Sequence, residues 1–128
     1  MNGNNALLLT YGLAVGLCSL LFFTSCNDRV IGEFKITNHT LHRIDSLAIE
    51  PNRDLTSKYI SLEPGETFIY KADMTDIPKV DGSYLLSYRL NKTNVHKGFG
   101  YFTNGYPLGT VLSIEIQSDS TIITESNY

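Results

Sequence analysis

The side chains in this sequence best suited to ligation, proton transfer or nucleophilic attack are three histidines, two cysteines and a group of aspartates. His39 and His42 stand three residues apart, a spacing that can turn two imidazoles toward one zinc ion, and His96 is a candidate third ligand. The pair has no cysteine or acidic neighbour at ligand spacing and falls where Asn38-His39-Thr40 breaks a strand pattern, so solvent-exposed turn histidines are expected and no metal. Asp73, Asp76 and Asp81 are close in sequence. A calcium loop needs oxygen ligands at alternate positions around a central glycine, and their spacing does not supply that, so they are read as solvated loop carboxylates. The sequence has no Gly-x-Ser-x-Gly elbow, phosphate loop or HExxH pattern. No catalytic residue and no cofactor is therefore expected, and the chain is read as non-enzymatic.

Aromatic residues offer a different kind of chemistry. Phe99, Tyr101, Phe102 and Tyr106 lie between Gly98 and Gly109, next to Asn104. Rigid rings beside adaptable polar groups are what sugar-binding and protein-binding surfaces use, so these five residues form the candidate ligand-binding site. The competing account is ordinary packing, with alternate aromatics in the core and the glycines making room for them.

Charge and hydropathy bound the function classes. Ten basic and 13 acidic residues give a net charge of -3, with the signs mixed along the chain. This balance argues against nucleic acid, which needs a basic stripe, and equally against a polyacidic substrate. The first charges are Asp28 and Arg29. Before them, Ala6 to Cys26 is an uncharged apolar run, apolar on every side and so unlike a soluble amphipathic helix. Two readings of it stay open: an uncleaved membrane anchor, since about 20 apolar residues cross a bilayer, and a secretory signal with a polar start at Asn2-Gly3-Asn4-Asn5.

The end of the run, Phe23-Thr24-Ser25-Cys26, resembles the lipobox of bacterial lipoproteins, in the looser form found in the Bacteroidetes. The resemblance implies a signal peptide over 1–25, then a lipid-modified Cys26 opening a short tether over 26–30. A β domain would occupy 31–128. Lipid on Cys26 would make the membrane the first partner. The outer membrane facing the periplasm is the expected location, with the cell surface as the alternative. Cys18 would leave with the signal and Cys26 be consumed, leaving the domain without a disulfide. About 100 residues are enough for one domain and too few for two.

Past residue 30 the elements are strands. Phe34 and Ile36 alternate with charged or polar residues, and Ile44 to Glu50 is a second strand in which Ile44 falls out of phase, predicting a bulge or a late start. Glu63-Pro64-Gly65-Glu66 has proline and glycine where a type II turn needs them, between strands at 59–62 and 67–71. Residues 73–80 are expected to form a loop. Tyr84, Leu86, Tyr88 and Leu90 share one face of a strand over 83–90, read as central. Asn104-Gly105 is a turn, and alternation resumes through Leu112, Ile114 and Ile116 before a last strand over 121–124.

Seven or eight strands with turn signals about every ten residues predict an all-β, antiparallel β-sandwich. Asn38-x-Thr40, Leu62-x-Pro64-Gly65-Glu66 and Asp81-Gly82-Ser83-Tyr84-x-Leu86 together resemble the immunoglobulin-like or fibronectin-like sandwiches of bacterial envelope proteins, which implies a fold and no activity. Asp45-Ser46-Leu47 and Asp119-Ser120-Thr121 resemble the short O-glycosylation motif of the Bacteroidetes. Asn38-His39-Thr40 and Asn91-Lys92-Thr93 match the N-glycan sequon, idle in such a cell. The expected role is a lipid-anchored binding or adaptor module whose partner is another envelope protein or a glycan. A glycan-binding accessory protein and a periplasmic inhibitor or immunity protein are the alternatives.

Overall fold

The computed structural model of the protein describes residues 28–52, 59–109 and 111–126. The apolar run, both cysteines and Asn27 lie outside them, as do Arg53, Asp54 and Thr110 of the expected turns and strands. Nine strands are described: β1 (Ile31–Asn38), β2 (Ile44–Glu50), β3 (Ile60–Leu62), β4 (Thr67–Asp73), β5 (Gly82–Leu90), β6 (Thr93–Thr103), β7 (Tyr106–Pro107), β8 (Val111–Ile116) and β9 (Thr121–Ser126). They form two sheets, ordered β4-β1-β8-β9 and β3-β2-β5-β6-β7. The fold is an all-β sandwich, as the turn spacing predicts.

Alternation places the core. In β1, Phe34, Ile36 and Asn38 point inward, while Glu33 and Lys35 face water. β5 buries Tyr84, Leu86, Tyr88 and Leu90, and it is an inner strand between β2 and β6, as expected. Phe34 of one sheet meets Tyr84 and Phe99 of the other edge-on, at centroid distances of 4.9 and 5.7 Å. Such pairs add roughly 0.5–1.5 kcal/mol beyond the area they bury.

The local turn chemistry is as predicted at three places. Gly65 has φ +78° and Glu66 N donates to Glu63 O at 3.0 Å, the geometry of a type II turn. The register of β2 against β5 shifts between Asp45 and Ala48, with Ser46 at φ +53°. That bulge is what lets Ile44 and Leu47, three apart, both be fully buried. Asn104 and Gly105 have φ +50° and +74° between the paired residues Thr103 and Tyr106, a type I′ hairpin turn.

Two features differ from the sequence-based expectation. β1 and β8 run parallel, pairing Phe34 with Leu112 through Asn38 with Ile116, whereas the other described strand pairs are antiparallel. β6 also begins at Thr93, directly after β5. Asn91 and Lys92 make the two-residue turn at φ +50° and +66°, a left-handed pair with no glycine to announce it.

Asn38 ends β1 inside the core with no exposed surface. Its Nδ2 donates to the carbonyls of His42 (2.9 Å) and Leu62 (3.0 Å), and its Oδ1 accepts from Thr40 N (2.9 Å). Its backbone N donates to Glu66 O, and its carbonyl accepts from Gly65 N. Asn38 therefore ties together the 39–43 turn, β3 and the type II turn. The first sequon is a structural stitch whose amide is fully engaged.

Candidate functional site

The β6–β7 hairpin carries the five aromatic and amide residues singled out in the sequence, and the structure divides them. Phe99 and Phe102 are buried. Tyr101 and Tyr106 are about half exposed, at 47% and 50%. Strict alternation would put Phe99 and Tyr101 on the same face. Gly100 prevents this: with φ +54° it sits in an irregularity of the β5–β6 register, and the phase flips so that Phe99 and Phe102 both face inward while Tyr101 turns out. A Cβ at Gly100 would lie 2.8 Å from Leu112 Cδ1 and 3.1 Å from Tyr84 Cδ2, so glycine also makes room for the core beneath. The packing account thus holds for the two phenylalanines, with a bulge in place of simple alternation.

Asp81 fixes the outer face. Its Oδ1 accepts from Thr103 Oγ1 at 2.7 Å and from Asn104 N at 2.9 Å. These two bonds, with a third from the Tyr101 hydroxyl, hold the Asp81 carboxyl below the usual carboxylate range. The Tyr101 phenol is pushed up in return: ionising it would break its bond to Asp81, against desolvation and the carboxylate's charge. On the other side of the turn, Lys79 Nζ lies 4.7 Å from the centre of the Tyr106 ring, and Gly105 N donates to Val80 O at 3.0 Å. The loop over residues 74–81 therefore clamps the hairpin from both strands. The sequence reads Asp81 as a solvated loop carboxylate, and its service to a hairpin more than 20 residues away has no local signal.

Beneath Tyr101 and Leu108 is a cavity of about 90 Å³, lined also by Phe34, Tyr84, Leu112 and Glu125. Tyr84, at its back, is 3% exposed, and burial pushes its phenol up to about 12. The arrangement can offer two ring faces and a cleft between the sheets to a ligand.

The other candidates do not converge. His39 Nε2 is 3.9 Å from Glu115, and His96 Nδ1 is 2.9 Å from Ser87 Oγ. His42 lies with Arg43, Asp45, Arg89 and Lys92 around an open polar groove at the opposite end of the sandwich. Asp73 Oδ1 accepts from Thr75 N, Asp76 is exposed, and Asp81 serves the hairpin. Among the described residues no group of three or more His, Cys, Asp or Glu is placed to hold a metal ion. Ser46 and Ser120 of the O-glycosylation-like motifs are both exposed, one at the β2 bulge and the other in the β8–β9 turn.

No family model, curated protein or solved structure matches this chain.

Proposed function

We propose that the chain is a non-enzymatic binding or adaptor module, an immunoglobulin-like sandwich held at a bacterial envelope membrane by lipid on Cys26, with the β6–β7 hairpin as its binding surface. One observation carries the choice of surface. Tyr101 and Tyr106 are half exposed on a hairpin that Asp81, Lys79 and Val80 lock in place. Exposed rings on a preorganised support lose little freedom on binding, the economy that favours tyrosine at recognition surfaces. The sequence resemblance at Thr24-Ser25-Cys26 supports the anchor, and the outer membrane facing the periplasm is the favoured location.

Crosslinking from intact cells tests the role. Crosslinks placed at Tyr106 should capture a defined envelope partner that crosslinks placed at Leu41, 86% exposed in the 39–43 turn, do not. Equal capture from both positions would remove the hairpin from the role. Intact mass of the membrane-extracted protein tests the anchor: a chain beginning at Cys26 with added acyl mass is expected, and an unmodified Cys26 refutes it. The second reading is a glycan ligand, favoured by the pair of exposed rings with Asn104 between them. Under it, Tyr101→Ala and Tyr106→Ala abolish glycan retention while the protein stays folded at the assay temperature, whereas unchanged retention eliminates it.

A further inference from the structure

The two ends of the sandwich differ, and the hairpin is at the end where the chain arrives from the apolar run. Val30 N donates to Thr75 Oγ1 at 3.0 Å, and Val30 O accepts from Met74 N at 2.8 Å, so the loop over 74–81 rests on the first residues of the domain. The same loop clamps the hairpin through Lys79, Val80 and Asp81. Asn38, the 39–43 turn and the Asn91-Lys92 turn are at the other end of β1, about 23 Å away for a strand of this length.

Asp28 is two residues from Cys26, at most about 7 Å of chain, and Val30 is four residues from it, at most about 14 Å. Both readings of the apolar run put a membrane at Cys26, whether as the site of lipid or as the last residue of a span. The hairpin end cannot then stand far from the bilayer. Its surface suits one. Val80, Tyr101, Tyr106 and Leu108 are 58%, 47%, 50% and 47% exposed and adjoin through the 74–81 loop and the hairpin. Tyrosines with an apolar ring and a polar tip favour the headgroup level, and the Lys79 stem can lie along them with its ammonium toward water. Arg29, Lys71 and Lys79 stand against Asp28, Glu33, Asp73, Asp76, Asp81 and Glu125 at this end, an acidic excess that an anionic surface would repel and a zwitterionic one would not.

We propose that the Val80, Tyr101, Tyr106 and Leu108 surface seats in the headgroup region of the bilayer and fixes the orientation of the domain. The proposal goes beyond the binding role above and rests only on its membrane anchoring: it gives the hairpin surface a different occupant, the bilayer, which competes with a protein or glycan partner for the same rings. The groove around His42, Arg43, Arg89 and Lys92 then faces away from the membrane.

The chain contains no tryptophan, so a single indole reports its own depth. The full-length protein, purified with its native processing, is reconstituted into phosphatidylcholine–phosphatidylethanolamine vesicles whose acyl chains are brominated near the headgroup. Tyr106→Trp and Val80→Trp should be quenched several-fold more strongly than Leu41→Trp at the far end. Far-ultraviolet circular dichroism shows that each variant retains its sheets. Co-flotation with vesicles but equal quenching at all three positions overturns the proposal and leaves the anchor standing. Failure to co-float refutes the anchor and the proposal together. Absence of quenching at Tyr106→Trp, with glycan retention lost in Tyr106→Ala, would assign the hairpin to a glycan instead.

Discussion

Asn38→Ala is expected to cost more than any surface change in this domain. The side chain is fully buried and makes three hydrogen bonds. His42 O keeps a partner after truncation, because Thr40 Oγ1 also donates to it at 2.7 Å. The other two bonds, to Leu62 O and from Thr40 N, are buried and lose theirs. A buried polar group left unsatisfied costs about 1–3 kcal/mol, so two cost about 2–6 kcal/mol. Set against a domain stability of about 5–15 kcal/mol, the midpoint of about 4 kcal/mol is a large fraction. Asn38→Asp retains the acceptor for Thr40 N and replaces the donor with a second acceptor facing two carbonyls, so it should be no better at neutral pH. Urea denaturation followed by circular dichroism measures both. A loss below about 1 kcal/mol for Asn38→Ala would show that water or a backbone shift replaces the amide, and would refute the stitch.

Three further outcomes follow from the geometry. Burial raises the Tyr84 phenol from 10 to about 12, so the unfolded chain loses that proton first. Its contribution is complete below pH 10 and is lost as pH rises toward 12, at most about 3 kcal/mol in all, and Tyr84→Phe should flatten that part of the urea-midpoint profile. Lys92→Gly should stabilise the protein by about 1 kcal/mol, because φ +66° suits glycine and strains lysine; an unchanged or lower thermal midpoint would count against the left-handed pair at Asn91-Lys92. Asp81→Asn should return the Tyr101 phenol toward its ordinary range, seen as tyrosinate absorbance developing at lower pH, and no change would mean that the hydroxyl is not bonded there. In the unsubstituted chain Asp81 supports the hairpin above the usual carboxylate range and stops doing so as pH falls through its lowered value.

Much of the fold is legible because its signals are local. Pro64-Gly65 and Asn104-Gly105 specify their turns within four residues, and the misplaced phase of Ile44 against Leu47 contains the β2 bulge. The less legible parts depend on distance or on residues acting against type. Asn91-Lys92 turns tightly although lysine disfavours a positive φ, which conceals the start of β6. The β1–β8 parallel pair joins segments more than 70 residues apart, and no periodicity within either strand encodes the direction of its partner. At the hairpin, the aromatic cluster is visible in the sequence. Its division into two buried phenylalanines and two exposed tyrosines depends on the bulge at Gly100, and its rigidity on Asp81 across the sheet.

β1 is an inner strand, gripped by β4 along one side and by β8 along the other. Every residue from Ile31 to Thr37 has a partner on β4. Under the proposed anchoring, a force transmitted through Val30 would pull along this strand, across the direction of its hydrogen bonds, so both ladders would resist in shear and many rungs would have to break together. A strand at the sheet margin, peeled from one end, would yield rung by rung. Placing the first described strand at the interior of its sheet makes the fold resistant to a pull on the residues that precede it.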